Sequence, residues 1–178
     1  MKLKPFLAVL AAAAMLTQTG CTGSQILTTL EGSVAATELL VAALAANNTI
    51  PADIAGPLEG AIADVPAAYT QTAAEIASSD TNAIKALKIT AYFANSLQAL
   101  KVLPPAAQVY AVPVINAINA FLNEINPPAT AGAFQPAYRG TAVSFPATGW
   151  AHQIARHHLT DVKTRALNLQ IAIDNLKK

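Results

Sequence analysis

The sequence predicts an all-α protein, an up-and-down helical bundle of four or five helices with one long irregular loop before the last helix. Apolar residues recur at spacings of three and four in several segments, which is the period of an amphipathic helix. No segment alternates polar and apolar residues for long, and the only short strand candidate is 141–145. Alanine, the best helix former, is abundant, which agrees with this fold class.

The first half of the chain predicts two helical stretches. The first runs from about Ser24 to Asn47, and the second ends near Ser79. Proline removes a backbone donor and disfavours the helical state of the residue before it, so we expect the second stretch to be kinked or split near Gly56 and Pro57. The predicted buried stripe of the first helix is Leu27, Leu30, Val34, Thr37, Val41 and Leu44.

Three further helices are predicted in the second half. The third spans about Asn82 to Val102. The fourth begins at Pro105 or, in earnest, at Pro113, since proline can open a helix but interrupts its interior. The last begins near Trp150 and reaches the C-terminus. Its stripe is the most regular in the chain and comprises Leu159, Val162, Ala166, Leu169, Ile173 and Leu176.

The segment from Asn126 to Gly149 is the long irregular loop, and it suggests a binding site. Phe134, Tyr138, Arg139 and Trp150 bring aromatic rings and one cation into a stretch of small residues. Tyr, Trp and Arg are over-represented at binding hot spots. The alternative, which burial of large rings favours, is that these rings fold back and cap the end of the bundle.

Charge is distributed unevenly along the chain. Between Thr22 and Asp80 every charged residue is acidic, whereas basic residues dominate afterwards. We interpret this asymmetry as two halves that pack together and partly compensate each other's charge; the alternative is one acidic and one basic docking face. The cations form no run and are not interleaved with aromatic residues, so we predict no nucleic-acid binding.

The sequence predicts no catalytic residue, no metal site and no cofactor. His152, His157 and His158 lack the spacing of three or four that two ligands on one helical face need. Glu31 and Glu38 are two turns apart and share a face, but solvated glutamates are a simpler interpretation than an acid–base pair. The stretch 102–123 carries no charge, yet its prolines and asparagines favour a buried core helix over a membrane span.

The N-terminal segment carries the strongest localisation signal. Lys2 and Lys4 precede a short apolar core from Phe6 to Leu16, and a polar stretch then leads to Cys21, the only cysteine. This segment resembles a bacterial lipoprotein signal peptide, although Gln18 stands where such signals usually carry an apolar residue. The apolar core is too short to span a bilayer.

The resemblance implies that residues 1–20 are removed, that Cys21 becomes an acylated N-terminus carrying palmitate or a similar chain, and that 21–178 forms a single domain. Its partner would then be a membrane, contacted through the lipid on Cys21. The protein would face the periplasm of the cell envelope, and Thr22 in place of an aspartate favours the outer membrane. The alternative is an ordinary secretory signal that yields a secreted or periplasmic protein.

Three functions are compatible with the sequence. The first is a noncatalytic, envelope-anchored lipoprotein that acts as a structural or interaction module and binds another envelope protein. The second is a binding protein whose alanine-rich helices enclose a small apolar ligand. The third is an enzyme of unknown class.

Overall fold

Six helices account for most of the residues that the structure describes. In this computed structural model the described residues are 23–46, 49–126 and 154–176, and they contain no strand. The helices are α1 (Gly23–Ala45), α2 (Ala52–Ile62), α3 (Val65–Ile76), α4 (Asn82–Lys101), α5 (Pro105–Ile125) and α6 (Arg156–Leu176). The predicted all-α bundle is confirmed.

Proline positions explain where the helices in the middle of the chain begin and end. A split near Gly56 and Pro57 is wrong, because α2 runs through Pro57 and ends at Ile62. The break falls at residues 63–64 instead, just before Pro66 in the first turn of α3. Proline costs little there, since the amide of a first-turn residue has no intrahelical partner.

The first residues of α5 and α6 can also be compared with the starts that the sequence predicts. α5 begins at Pro105 and accommodates Pro113 in its interior, so a start at Pro113 is wrong. α6 begins at Arg156 rather than near Trp150, since Ile154 and Ala155 precede it outside a helix. The helix α4 begins as its sequence predicts, with the Thr81 hydroxyl accepting a hydrogen bond from the amide of Ile84.

Five of the helices close a ring around one core. α1 packs against α5 and α6, α4 packs against α3 and α5, and α3 also packs against α6. The short helix α2 lies against α4 and α5. Three aromatic side chains contact one another inside this circle of helices. The ring centroids of Tyr69 and Phe93 are 5.3 Å apart, and those of Phe93 and Phe121 are 6.1 Å apart. These T-shaped contacts join α3, α4 and α5.

The stripes predicted for the first and last helices face this core. In α6, Leu159, Val162, Ala166, Leu169 and Ile173 are buried. In α1, Leu27, Leu30, Val34, Thr37 and Val41 are buried and Leu44 is partly buried. The core therefore forms along helical stripes that the sequence alone reveals.

The packing predicts that Leu169→Asp is among the most damaging substitutions in the chain. Leu169 is 3% exposed, so aspartate would bury a charge without a partner. We expect a loss of several kcal/mol, enough to unfold a domain of ordinary stability. Leu167, two residues away and 60% exposed, provides the matched control, Leu167→Asp. Chemical denaturation checks both variants, and equal losses would contradict the assigned core face.

Candidate functional site

The residues singled out in the sequence for binding and lipidation lie outside the described residues. They are Cys21, Phe134, Tyr138, Arg139 and Trp150. The same holds for the predicted loop beyond Asn126 and for His152. The candidate site is therefore built from the surfaces of the described bundle, beginning with the junction of α1 and α6.

Two contacts between a carboxylate and a basic side chain join α1 to α6. Arg165 donates from Nε to Oε1 of Glu38 at 2.8 Å and from Nη2 to Oε2 at 2.6 Å, a bidentate arrangement. Hydrogen bonding to Glu38 raises the pKa of Arg165. One helical heptad away, Nδ1 of His158 lies 3.5 Å from Oε1 of Glu31. The shared face predicted for the two glutamates is confirmed, but they meet basic partners rather than solvent alone.

The order of these pairs fixes the direction of α6. Both partners advance by seven residues from one pair to the next, so α1 and α6 run parallel. α3 runs antiparallel to α6, because Ala77 lies near Arg156 whereas Pro66 lies near Gln170. α1 and α6 therefore begin at the same end of the bundle, which we call the N-terminal end.

The charge asymmetry of the sequence is resolved by packing. Each of the four contacts between acidic and basic side chains among the described residues joins an acid at or before Asp80 to a base after it: Glu31–His158, Glu38–Arg165, Glu75–Lys88 and Asp80–Lys88. The interpretation that the halves compensate each other's charge is confirmed for these groups. Arg156 and Lys163 form no ion pair within the described residues, and neither do Asp53, Glu59 and Asp64.

A network of hydroxyl groups crosses the core between α1 and α3. Thr37 donates to the carbonyl of Ser33 at 3.0 Å, so the Tyr69 hydroxyl, 2.9 Å from Thr37 Oγ1, is the donor in that contact. Burial raises the pKa of Tyr69 to about 12. The network orients the ring of Tyr69, which contacts Phe93 in the core. Its chemistry is structural, since Tyr69 is fully buried.

A second polar cluster closes the turn between α3 and α4. Lys85 is buried and donates to the carbonyls of Ile76 at 2.7 Å and Ser78 at 2.8 Å, which caps the C-terminus of α3. Burial lowers the pKa of Lys85. The Glu75 carboxylate beside it accepts hydrogen bonds from Tyr92 at 3.2 Å and from Lys88 at 3.4 Å. The charged groups of Lys85 and Glu75 therefore belong to the structure that caps the C-terminus of α3.

Two shallow clefts lie between α3 and α6. One, of about 260 Å³, is lined by Ala77, Arg156, Leu159, Thr160 and Lys163. The other, of about 300 Å³, lies further along the same pair of helices and is lined by Pro66, Ala67, Thr70, Gln71, Ala166, Leu167 and Gln170. Within the described part of the chain, no three His, Cys, Asp or Glu side chains are placed to hold a metal ion. The unpaired cations make the first cleft the best candidate site.

α1 and α5 are long and apolar enough to cross a bilayer by length and composition. Core helices of soluble proteins meet the same criterion. The two helices pack against each other and supply Leu30, Val34, Ile118 and Phe121 to the core. Their packing agrees with the core-helix interpretation of the uncharged stretch 102–123.

The chain matches no protein-family model, no curated protein and no solved structure. Its function is therefore inferred from its own residues.

The raised pKa of Tyr69 predicts a loss of stability in alkali. The folded state keeps the Tyr69 proton up to about pH 12, whereas the unfolded chain releases it near pH 10. The share of the unfolding free energy that comes from this difference in pKa is fully present below pH 10. It is lost as the pH rises through 12, a change of about 2–3 kcal/mol.

Tyr69→Phe should therefore flatten the fall in unfolding free energy between about pH 10 and 12, at a cost of about 1 kcal/mol near neutral pH. Half-buried Tyr110 offers the matched control, Tyr110→Phe. Urea titrations across this pH range measure the effect. The same alkaline slope in Tyr69→Phe and the wild type would show that the hydroxyl ionises freely in the fold.

Proposed function

We propose that this chain is an envelope-anchored lipoprotein whose helical bundle acts as a noncatalytic structural or interaction module. One observation carries the proposal: the lone cysteine, Cys21, directly follows a basic, then apolar, then polar segment of signal-peptide length. Acylation gives this thiol a role in an exported protein, where an unpaired cysteine needs one.

The start of the bundle supports this proposal. α1 begins at Gly23, which is itself buried, so packed structure starts two residues after Cys21. Two residues span at most about 8 Å between Cα atoms. A lipid on Cys21 would therefore hold the N-terminal end of the bundle close to the membrane surface. The bundle would work as a rigid body at the membrane rather than at the end of a long tether.

Two other functions stay predictions. A bundle that encloses an apolar ligand would need a cavity among its helices, and an enzyme would need converging polar groups in a pocket. Mass spectrometry of the intact protein purified from its own host would detect a retained ligand. Crosslinking in the native envelope would identify a protein partner.

Anchoring predicts that Cys21→Ser abolishes incorporation of labelled fatty acid and releases the protein from the membrane fraction. A single acyl chain binds a membrane only marginally, whereas two or more hold a protein stably. Thr22→Ser is the control, since it changes the neighbouring residue and keeps the thiol. Labelling and fractionation of both variants test the proposal. A Cys21→Ser protein that stays with the membrane, with no label on the wild type, would refute it.

A further inference from the structure

We propose that the surface formed by α3 and α6 rests on a membrane that contains anionic phospholipid, with Arg156 and Lys163 contacting lipid phosphates. We call this surface the α3–α6 face. It consists of the two clefts together with the exposed side chains of Arg156, Lys163, Leu167 and Ile171. The proposal rests on the proposed anchoring only for the position of the membrane.

Within the described residues, the cations of this face have no acidic partner. Arg156 and Lys163 line one cleft, about 20° apart around α6 at 100° per residue. Asp161 points about 140° away from Arg156 by the same count. Across the cleft lies uncharged Ala77, which directly follows α3, while Glu75 near the end of that helix is bound by Lys88 and Tyr92. Both cations are therefore available to an external anion.

Exposed apolar side chains continue the line of Arg156 and Lys163 along α6. Leu167 is 60% exposed and Ile171 is 52% exposed, and both lie within about 80° of Lys163 around the helix. α3 faces them with small or uncharged residues, including Ala67 and Thr70. Basic residues beside exposed apolar side chains are typical of surfaces that lie in the membrane interface. Asp174 is the one acid on this line and lies at the opposite end of α6, hydrogen-bonded to Gln170.

Arg156 also lies towards the N-terminal end of the bundle. Because His158 pairs with Glu31, Arg156 is level with residue 29 of α1, about 9 Å along the axis from Gly23. Lys163 follows about 10 Å further on, near the middle of the bundle, so Arg156 is the cation nearer to the N-terminal end. Asp64, which forms no ion pair among the described residues, immediately precedes α3, and the first turn of α3 lies at the opposite end of the bundle near Gln170. An anionic surface would attract Arg156 and Lys163 and repel Asp64, which favours one orientation of the bundle.

The test uses the mature chain with Cys21→Ser, which has no acylation site and contains every residue of the described core. Without lipid, binding to vesicles reports on the face alone, so a failure here is distinct from a failure of anchoring. We expect cosedimentation with vesicles in which about a third of the lipid is phosphatidylglycerol, and none with phosphatidylcholine vesicles. Raising the ionic strength should weaken this binding.

Matched variants locate the contact. Lys163→Gln should weaken binding about fivefold, and the double variant Arg156→Gln/Lys163→Gln about thirtyfold, the effect expected for one and two cations near an anionic surface. Lys101→Gln makes the same charge change at an exposed cation near the opposite end and should leave binding nearly unchanged. For the apolar part, Leu167→Gln should weaken binding, whereas Leu87→Gln, at a site 71% exposed on α4, should not.

Three results would overturn the proposal. Equal losses for Lys163→Gln and Lys101→Gln would show attraction by net charge without a defined face. Equal binding to neutral vesicles would remove the role of phosphate. Complete displacement from anionic vesicles by inorganic phosphate, at a concentration where an equal ionic strength of chloride has no effect, would assign the cleft to a soluble phosphate instead of a lipid surface. Circular dichroism of each variant establishes that it is folded.

Discussion

The parallel pairing of α6 with α1 is the constraint on which the rest of this structure depends. α6 fills the gap between α1 and α3, and its buried stripe completes the core. Partly exposed ion pairs contribute little stability, so apolar burial supplies the free energy. The heptad spacing of Glu31 and Glu38 against His158 and Arg165 sets the direction and register of the helix. Because α6 is parallel to α1, Arg156 lies towards the N-terminal end of the bundle, about 9 Å along the axis from Gly23.

The polar groups inside the bundle have structural roles, because they hold neighbouring helices and side chains in place. Tyr69 reaches across the core to Thr37, and its ring begins a series of edge-to-face contacts. The Lys85 ammonium group donates hydrogen bonds to the carbonyls of Ile76 and Ser78, at and just after the end of α3. Such groups are costly to bury and are tolerated because nearly every donor meets an acceptor. The unpaired cations on the α3–α6 face differ from them, since they are exposed and have no partner among the described residues.

Much of the fold could be predicted from the sequence, because helical stripes report directly on burial. The stripe from Leu159 to Ile173 is buried as its spacing predicts. Proline was harder to interpret: Pro57 and Pro113 lie inside helices, and the real break precedes Pro66. A single lost hydrogen bond is outweighed there by burial of Leu58 and Val114, which a local rule does not count.

The candidate site was less predictable, because it depends on which helices become neighbours. The charge asymmetry and the heptad spacing of Glu31 and Glu38 are visible in the sequence, but their partners on α6 lie 127 residues away. The direction of α6 decides whether Arg156 or Asp174 lies near the N-terminal end. No local pattern specifies that direction. The predicted roles of Cys21, Phe134, Tyr138, Arg139 and Trp150 stay predictions, since these residues lie outside the described part of the chain.

The most direct test of this account measures the direction of α6 with spin labels. In a Cys21→Ser background, two new cysteines are the only thiols, so labels attach at chosen sites. If α6 runs parallel to α1, Thr28 and Ala155 are level and their labels are close together, whereas Ile171 lies about 24 Å further along the axis, so its label is more than about 24 Å from the label at Thr28. A shorter distance for the second pair than for the first would show that α6 is antiparallel to α1 and would contradict the account.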